Sequence, residues 1–330
     1  MLKTRFLNND LNQFKLNPFL LILFFLISPL FLLAETKLII LGSGTPNPDP
    51  ERYGSGYAVV VNEKAYIVDF GPGIVRRISA MSPTWGGDYP SMELDKIDIA
   101  FLTHIHSDHS GALADLVLTP WIMGRAVPLN LFGPIGLEAM SENITKAYIE
   151  DINYRLYGSQ PANKLGFTSS VTEILKDGLI YKDENIEVIA FKNAHGDFEH
   201  SFGFLFITKD KRILFSGDTA VSKNLKKYGK NLDILVHEVF SSETFVNKTK
   251  DWQIYHQAHH TSSIDLGIIA NELKPKKLVL SHILFWGAKE ESLLSDVRQN
   301  FAGETIIAKD LLVIKSVSYT HLTLPTTPYV

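Results

Sequence analysis

Apolar residues along this chain fall mainly into short runs separated by turn residues, and only a few stretches carry them at helical spacing. The runs at 36–41, 57–61 and 65–70 predict strands, the last two joined by a hairpin at Asn62, Glu63 and Lys64. Gly71-Pro72-Gly73 then predicts the start of a helix with Ile74, Val75, Ile78 and Met81 on one face. A strand at 97–103 leads directly into a histidine-rich segment, and a helix at about 110–118 follows. A strand at 129–132 precedes a long helix, 134–156, with Leu137, Met140, Ile144, Tyr148 and Ile152 on one helical period. Strands then dominate, at 171–175, 187–192, 202–208 and 212–216. A helix after Asp218, a strand at 232–237, a helix at 264–273, a strand at 277–280, a helix at 290–301 and a strand at 311–315 complete the pattern. No linker, long low-complexity stretch or repeat divides it. Strands in runs with helices between the runs favour mixed sheets packed between helices, in one α/β (α+β) domain.

The two ends read differently. Residues 1–34 carry Lys3, Arg5 and Lys15, then an apolar run from 19 to 33 broken only by Ser28 and Pro29, then Ala34. That run is shorter than a membrane helix needs, so a signal peptide is expected and an uncleaved anchor is the alternative. Either places the body, residues 35–316, in the periplasm or outside the cell. The last stretch, 317–330, is uncharged and rich in Thr and Pro, and reads as a non-native tail without a role in the fold.

Composition narrows the chemistry. The chain has 330 residues, a formal charge of −4, no cysteine and 11 histidines. Without Cys there is no disulfide, thiolate zinc site or Cys nucleophile. The net acidity speaks against general nucleic-acid binding, which draws on a basic face. Gly42-Ser43-Gly44 lacks the third glycine of a dinucleotide fingerprint, with Asn47 at its place, and reads as a tight turn.

The histidines are not scattered. His104, His106, Asp108 and His109 fall within six residues just past a predicted strand. In an extended stretch His104 and His106 point the same way and can reach one metal. Asp108 and His109 turn into the next helix and can reach a second. One segment cannot complete two metal shells, and His195, Asp218 and His282 each follow a predicted strand. Any one of them alone would read as a turn or cap residue. Three at the same kind of strand end, beside an existing motif, read as ligands.

The order HxHxDH, His, GD and SH resembles the metallo-β-lactamase superfamily over about residues 37–315. The opening LGSGTPNPDPERYGSG, the Val68-Asp69-Phe70-Gly71 turn, His237-Glu238-Val239-Phe240 and His260-Thr261-Ser262 are similar to its ribonuclease Z and arylsulfatase-like branch. The resemblance implies a four-layered αββα sandwich with the site at one edge of two facing sheets. It implies two Zn2+, with Mn2+ or Fe2+ as alternatives. One ion falls to His104, His106 and His195, the other to Asp108, His109 and His282, with Asp218 bridging. Asp108, His260 and Glu238 are the implied catalytic residues, His260 protonating the leaving oxygen and Glu238 orienting it. Asp69 is expected to hold the metal loop. His200, His256 and His259 receive no role, and His237 only adjoins Glu238.

On this reading the protein is an exported hydrolase that cleaves phosphate or sulfate esters by attack of a metal-bridging hydroxide. A small-molecule ester is the expected substrate, nucleic acid is not expected, no membrane span remains after the leader is cleaved, and oligomerisation is left open. A tRNA 3′-processing endonuclease is the alternative. Export, net charge and the 23-residue spacing from His195 to Asp218, too short for that family's tRNA-gripping arm, weigh against it. A non-catalytic zinc scaffold is the third reading. The helical insertion between 129 and 175 is expected to lie over the cleft, with Tyr148, Tyr154 or Tyr157 contacting substrate. Phe285 and Trp286 are further pocket candidates.

Overall fold

The computed structural model describes residues 35–315. The leader and tail expectations fall on residues outside that range. Two seven-stranded mixed sheets face each other. The first has the order β14 (Val313–Ile314), β1 (Lys37–Gly42), β2 (Gly56–Val61), β3 (Lys64–Val68), β4 (Ile99–Phe101), β5 (Leu129–Gly133) and β6 (Ser169–Glu173). The second has the order β13 (Glu304–Ile307), β12 (Lys277–Leu284), β11 (Ile234–Phe240), β10 (Arg212–Phe215), β9 (Phe202–Thr208), β8 (Ile186–Lys192) and β7 (Gly178–Lys182). Each sheet joins an antiparallel half to a parallel half, the change coming at β3 in the first and at β10 in the second.

Three apolar layers account for the sandwich. Alternate residues of β1 enter different ones: Leu38 and Ile40 pack between the sheets, while Ile39 and Leu41 pack outward under helices. A strand buried on both faces reads as an unbroken apolar run. Between the sheets, Phe101, Phe204, Phe206 and Phe215 interlock, with Phe101 and Phe206 edge to face at 5.3 Å. Outside the first sheet lie α1 (Ile74–Met81), α2 (Ser107–Ser110), α3 (Leu113–Ile122), α4 (Leu137–Ala147) and α5 (Ile149–Tyr157). The helices after β10 are α6 (Lys223–Tyr228), α7 (Ser242–Phe245), α8 (Lys250–His259), α9 (Ser263–Leu273) and α10 (Glu290–Arg298). Of these, α6, α9 and α10 bury Leu225, Leu266, Ile269, Leu293 and Val297 against the second sheet. This is the αββα arrangement. No helix among the described residues is long and apolar enough to cross a membrane.

Several details depart from the expected pattern. The β2–β3 hairpin turns through Asn62 and Glu63 at φ 47° and 60°, the left-handed conformation that a two-residue hairpin asks for. The long helix divides at Tyr148 into α4 and α5, and its apolar stripe packs on the outer layer of the first sheet through Leu137, Met140, Ile144 and Ile152. It therefore does not roof the cleft. Tyr148, Tyr154 and Tyr157 are exposed and none lines the cavity described below. The helix beside that cavity is α8, in a segment the pattern left unassigned.

Candidate metal centre

The centre is built from loops at the same edge of both sheets. After β3, Asp69 takes a left-handed conformation (φ 56°) and turns its carboxylate back under the histidine-rich loop. It accepts hydrogen bonds from Thr103 N (2.8 Å), Thr103 Oγ1 (3.0 Å) and His109 Nδ1 (2.8 Å). The last fixes the His109 tautomer and aims Nε2 the other way. Gly71 belongs to the same support, because a Cβ there would sit 2.1 Å from the Asp108 carbonyl. On the opposite sheet, His195 donates through Nδ1 to the His259 carbonyl (2.9 Å), which leaves Nε2 facing His106.

His282 arrives differently from the expectation. It lies inside β12, not beyond it, at a bulge where Glu238 of β11 opposes both Ser281 and His282. The bulge lets the strand continue while His282, at φ 46°, leaves its alternation and turns to the centre.

Two groups of candidate ligand atoms result, each within 4.8 Å: His104, His106, His195 and Asp218, and Asp108, His109 and His282. Asp218 stands between them. Its Oδ2 is 3.8 Å from His104 Nε2, and its Oδ1 is 3.5 Å from His109 Nε2 and 3.6 Å from His282 Nδ1. All seven residues are buried except His106, which is half-buried.

The donor set fits divalent cations. His109 Nε2, Asp218 Oδ1 and His282 Nδ1 are buried without a hydrogen-bond partner, a costly state that a cation relieves. His104 Nε2 and His106 Nδ1 face each other at 3.0 Å, and His195 Nε2 is 3.4 Å from the same His106 atom. Imidazoles and carboxylates without thiolate suit zinc, manganese or iron. The electrostatics divide the ligands, since against burial the neighbouring carboxylates hold His109 well above and His282 above the usual imidazole value. Burial would raise the Asp218 carboxyl, but the imidazoles of His282, His109 and His104 hold it well below the carboxylate range. Burial pushes His104 well below the usual imidazole value, and His195 down to about 4, so both are neutral donors.

Glu238 and His260 meet beside the centre. Glu238 Oε1 accepts from Thr261 N (2.7 Å), and Oε2 lies 3.3 Å from His260 Nδ1. His260 Nδ1 is 3.9 Å from Asp218 Oδ2. Burial, with Asp218 beside it, pushes the Glu238 carboxyl well above its ordinary value, and burial lowers His260 to about 4.

A cavity of about 380 Å3 opens from Asp108, Asp218, His260 and His282 toward Lys248, Trp252, Tyr255, His256 and Trp286. Trp286 thus faces the cavity, whereas Phe285 packs with the outer core of the second sheet and lies under the Arg52 guanidinium (5.1 Å). His256 and His259, left without a role by the sequence, line the cavity and anchor His195 respectively. Lys248 and the α8 aromatics were missed. The available signal was the spacing of Trp252, Tyr255, His256 and His259, which is i, i+3, i+4, i+7 in aromatic rather than aliphatic residues.

A model of the metallo-beta-lactamase superfamily matches residues 49–282. Ribonuclease Z from Mycobacterium bovis (strain BCG / Pasteur 1173P2) is 25% identical over 287 residues, which is 83% of this chain and 96% of that protein. Among solved structures, the metallo-beta-lactamase fold protein YhfI from Bacillus subtilis superposes with a TM-score of 0.66 at 18% identity, covering 86% of this chain and all of that one. Human tRNase Z, short form, superposes with a TM-score of 0.63 at 22% identity, covering 84% of this chain and 98% of that one. The ribonuclease relatives overturn the expectation that nucleic acid is excluded in favour of a small-molecule ester. Net charge is a property of the whole surface, whereas a substrate meets the local field of the cleft, which holds Lys248 and the candidate metal site. The short His195 to Asp218 spacing does not keep the alignment from covering 96% of the bacterial relative.

Proposed function

The chain belongs to the metallo-β-lactamase superfamily, and from that premise we propose that it hydrolyses phosphodiester bonds of RNA in the manner of ribonuclease Z. At the coarser level it is a metal-dependent hydrolase acting on ester bonds. The alignment with a ribonuclease Z over 96% of that protein's length carries the finer reading. Arylsulfatase activity, expected from the resemblance together with export, net charge, the short His195 to Asp218 spacing and the helical insertion, has no comparable support.

His104, His106 and His195 would hold one ion and Asp108, His109 and His282 the other, with Asp218 in reach of both groups. Bound divalent ions, zinc in the simplest case, supply Lewis acidity that activates water and stabilises charge on a phosphoryl group. His260 lines the cavity beside these residues as a neutral imidazole and relays to the leaving oxygen the proton that the Glu238 carboxyl, pushed upward by burial and 3.3 Å away, retains. Glu238 is held by the Thr261 amide and by its place at the β-bulge, and it orients the His260 ring. Asp69 keeps His109 and the histidine loop in register with the rest. A periplasmic or secreted location, from the character of residues 1–34, stays part of the proposal.

The test is cleavage of a 3′-extended pre-tRNA and an unstructured oligoribonucleotide by the metal-loaded full chain, beside a 4-nitrophenyl sulfate control. RNA cleavage is expected, lowered on the order of 10²–10⁴-fold by His260→Ala. Hydrolysis of the sulfate ester with RNA left intact overturns the proposal.

A further inference from the structure

We infer that the aromatic end of the cleft is a nucleobase pocket, in which Trp252, His256 and Trp286 stack the base next to the scissile phosphate and Lys248 contacts a neighbouring phosphate. The inference rests on the proposed RNA hydrolysis and goes beyond it by naming what holds the substrate.

Four observations carry it. First, the cavity is continuous from the candidate ligands to these rings, and its volume of about 380 Å3 lies in the range of small-ligand sites. A group tethered to a phosphate at the metal end reaches the aromatic end. Second, the rings are contiguous. Trp252 and His256 lie at 5.5 Å and 23°, and His256 and Trp286 at 4.5 Å and 54°. Phe240 backs Trp286 from the core side at 5.7 Å. Third, Trp252 is 55% exposed and neither tryptophan belongs to the three apolar layers, while the buried His256 ring supports both from beneath. Trp286 also holds a left-handed backbone (φ 46°), a conformation that costs a bulky residue about 1–3 kcal/mol and persists where the surroundings impose it. Fourth, Lys248 Nζ sits 4.2 Å from the Trp286 ring centre and forms no ion pair among the described residues. Aromatic rings beside an unpaired ammonium match the alternation of base and phosphate in a single strand.

A planar aryl ester offers the same ring without the second phosphate, so the test separates the two. Calorimetric titration of the metal-loaded full chain uses adenosine 5′-monophosphate, ribose 5-phosphate, 4-nitrophenyl phosphate and a short oligoribonucleotide. The nucleotide is expected to bind at least about tenfold more tightly than ribose 5-phosphate, and Trp252→Ala or Trp286→Ala to remove about tenfold. Trp252→Phe keeps most of the affinity, which separates stacking from misfolding. Lys248→Gln weakens the oligoribonucleotide more than the mononucleotide. Equal binding of ribose 5-phosphate, equal binding of 4-nitrophenyl phosphate, or an unchanged dissociation constant in Trp252→Ala each overturns the pocket. In RNA cleavage, Trp252→Ala should raise KM more than it lowers kcat. RNA cleavage indifferent to Trp252→Ala overturns the pocket and leaves the reaction standing. RNA left intact while nucleotide binding still needs Trp252 overturns the reaction and leaves the pocket standing.

Discussion

At the residue scale, the centre depends as much on the residues behind the ligands as on the ligands. Asp69 satisfies the Thr103 amide and hydroxyl and the His109 ring with one carboxylate. Asp69→Ala is expected to lower metal affinity about 10- to 100-fold, measured by competitive chelator titration, with the fold retained by circular dichroism. Gly196 precedes the turn that closes the His195 loop at φ 54°, and a Cβ there would meet the His259 ring at 2.0 Å. Gly196→Ala should therefore strain the left-handed turn and push the His259 ring aside, lowering both RNA cleavage and thermal stability. These supporting contacts were only partly legible in the sequence. The ligands were legible because metal chemistry restricts residue types and each falls at a strand end or bulge. His259 was not, because its backbone carbonyl makes the contact and a carbonyl has no sequence signature.

At the element scale, legibility followed burial. Elements that bury apolar residues in a core layer, such as β1, β9 and α9, stand out in the pattern. β7, with exposed Leu179, and β13, with exposed Glu304, lie at sheet edges and carry a weak alternation. α8 turns aromatic residues toward a cavity, so it lacks an aliphatic face. The insertion at 137–157 has such a face, and for that reason it packs on the sheet and not over the cleft. One buried cation also organises this side of the molecule. Arg125 is fully buried and donates to the carbonyls of Ile97, Leu116, Val117 and Gly166, joining α3 to the loops on either side. Arg125→Ala leaves several buried carbonyls without a donor and is expected to cost about 3 kcal/mol, read from urea unfolding. Arg125→Lys should recover only part, since an ammonium cannot reach all four.

At the scale of the whole molecule, the two sheets are held by a polar clasp as well as by the phenylalanine layer. Asp183, in the turn after β7, accepts from Tyr66 (2.7 Å) and Lys64 (3.0 Å) of the first sheet and from Tyr181 (2.8 Å) of the second. Burial would raise its carboxyl, but these donors, with the amides of Asn185 and Ile186, bring it down to about 2 from 3.8. A folded-state value below the ordinary one contributes stability that is complete above about pH 4 and lost as pH falls through about 2. Asp183→Asn should flatten the stability profile in that window, measured by unfolding midpoints from pH 2 to 5, and leave the slope above pH 5 unchanged. The αββα sandwich and the metal end of the site were visible from pattern and motif. The proposed substrate was not, because net charge describes the whole surface and says nothing of a cleft lined by Lys248 and aromatic rings.

The claim on which the rest depends is that Asp218 joins two metal groups in one buried centre. Metal analysis of the full chain, after loading and exhaustive dialysis, tests it most directly. The account predicts two divalent ions per chain, falling to one or fewer in Asp218→Ala with the secondary structure intact. Fewer than one ion in the unsubstituted chain, or two retained in Asp218→Ala, would contradict it.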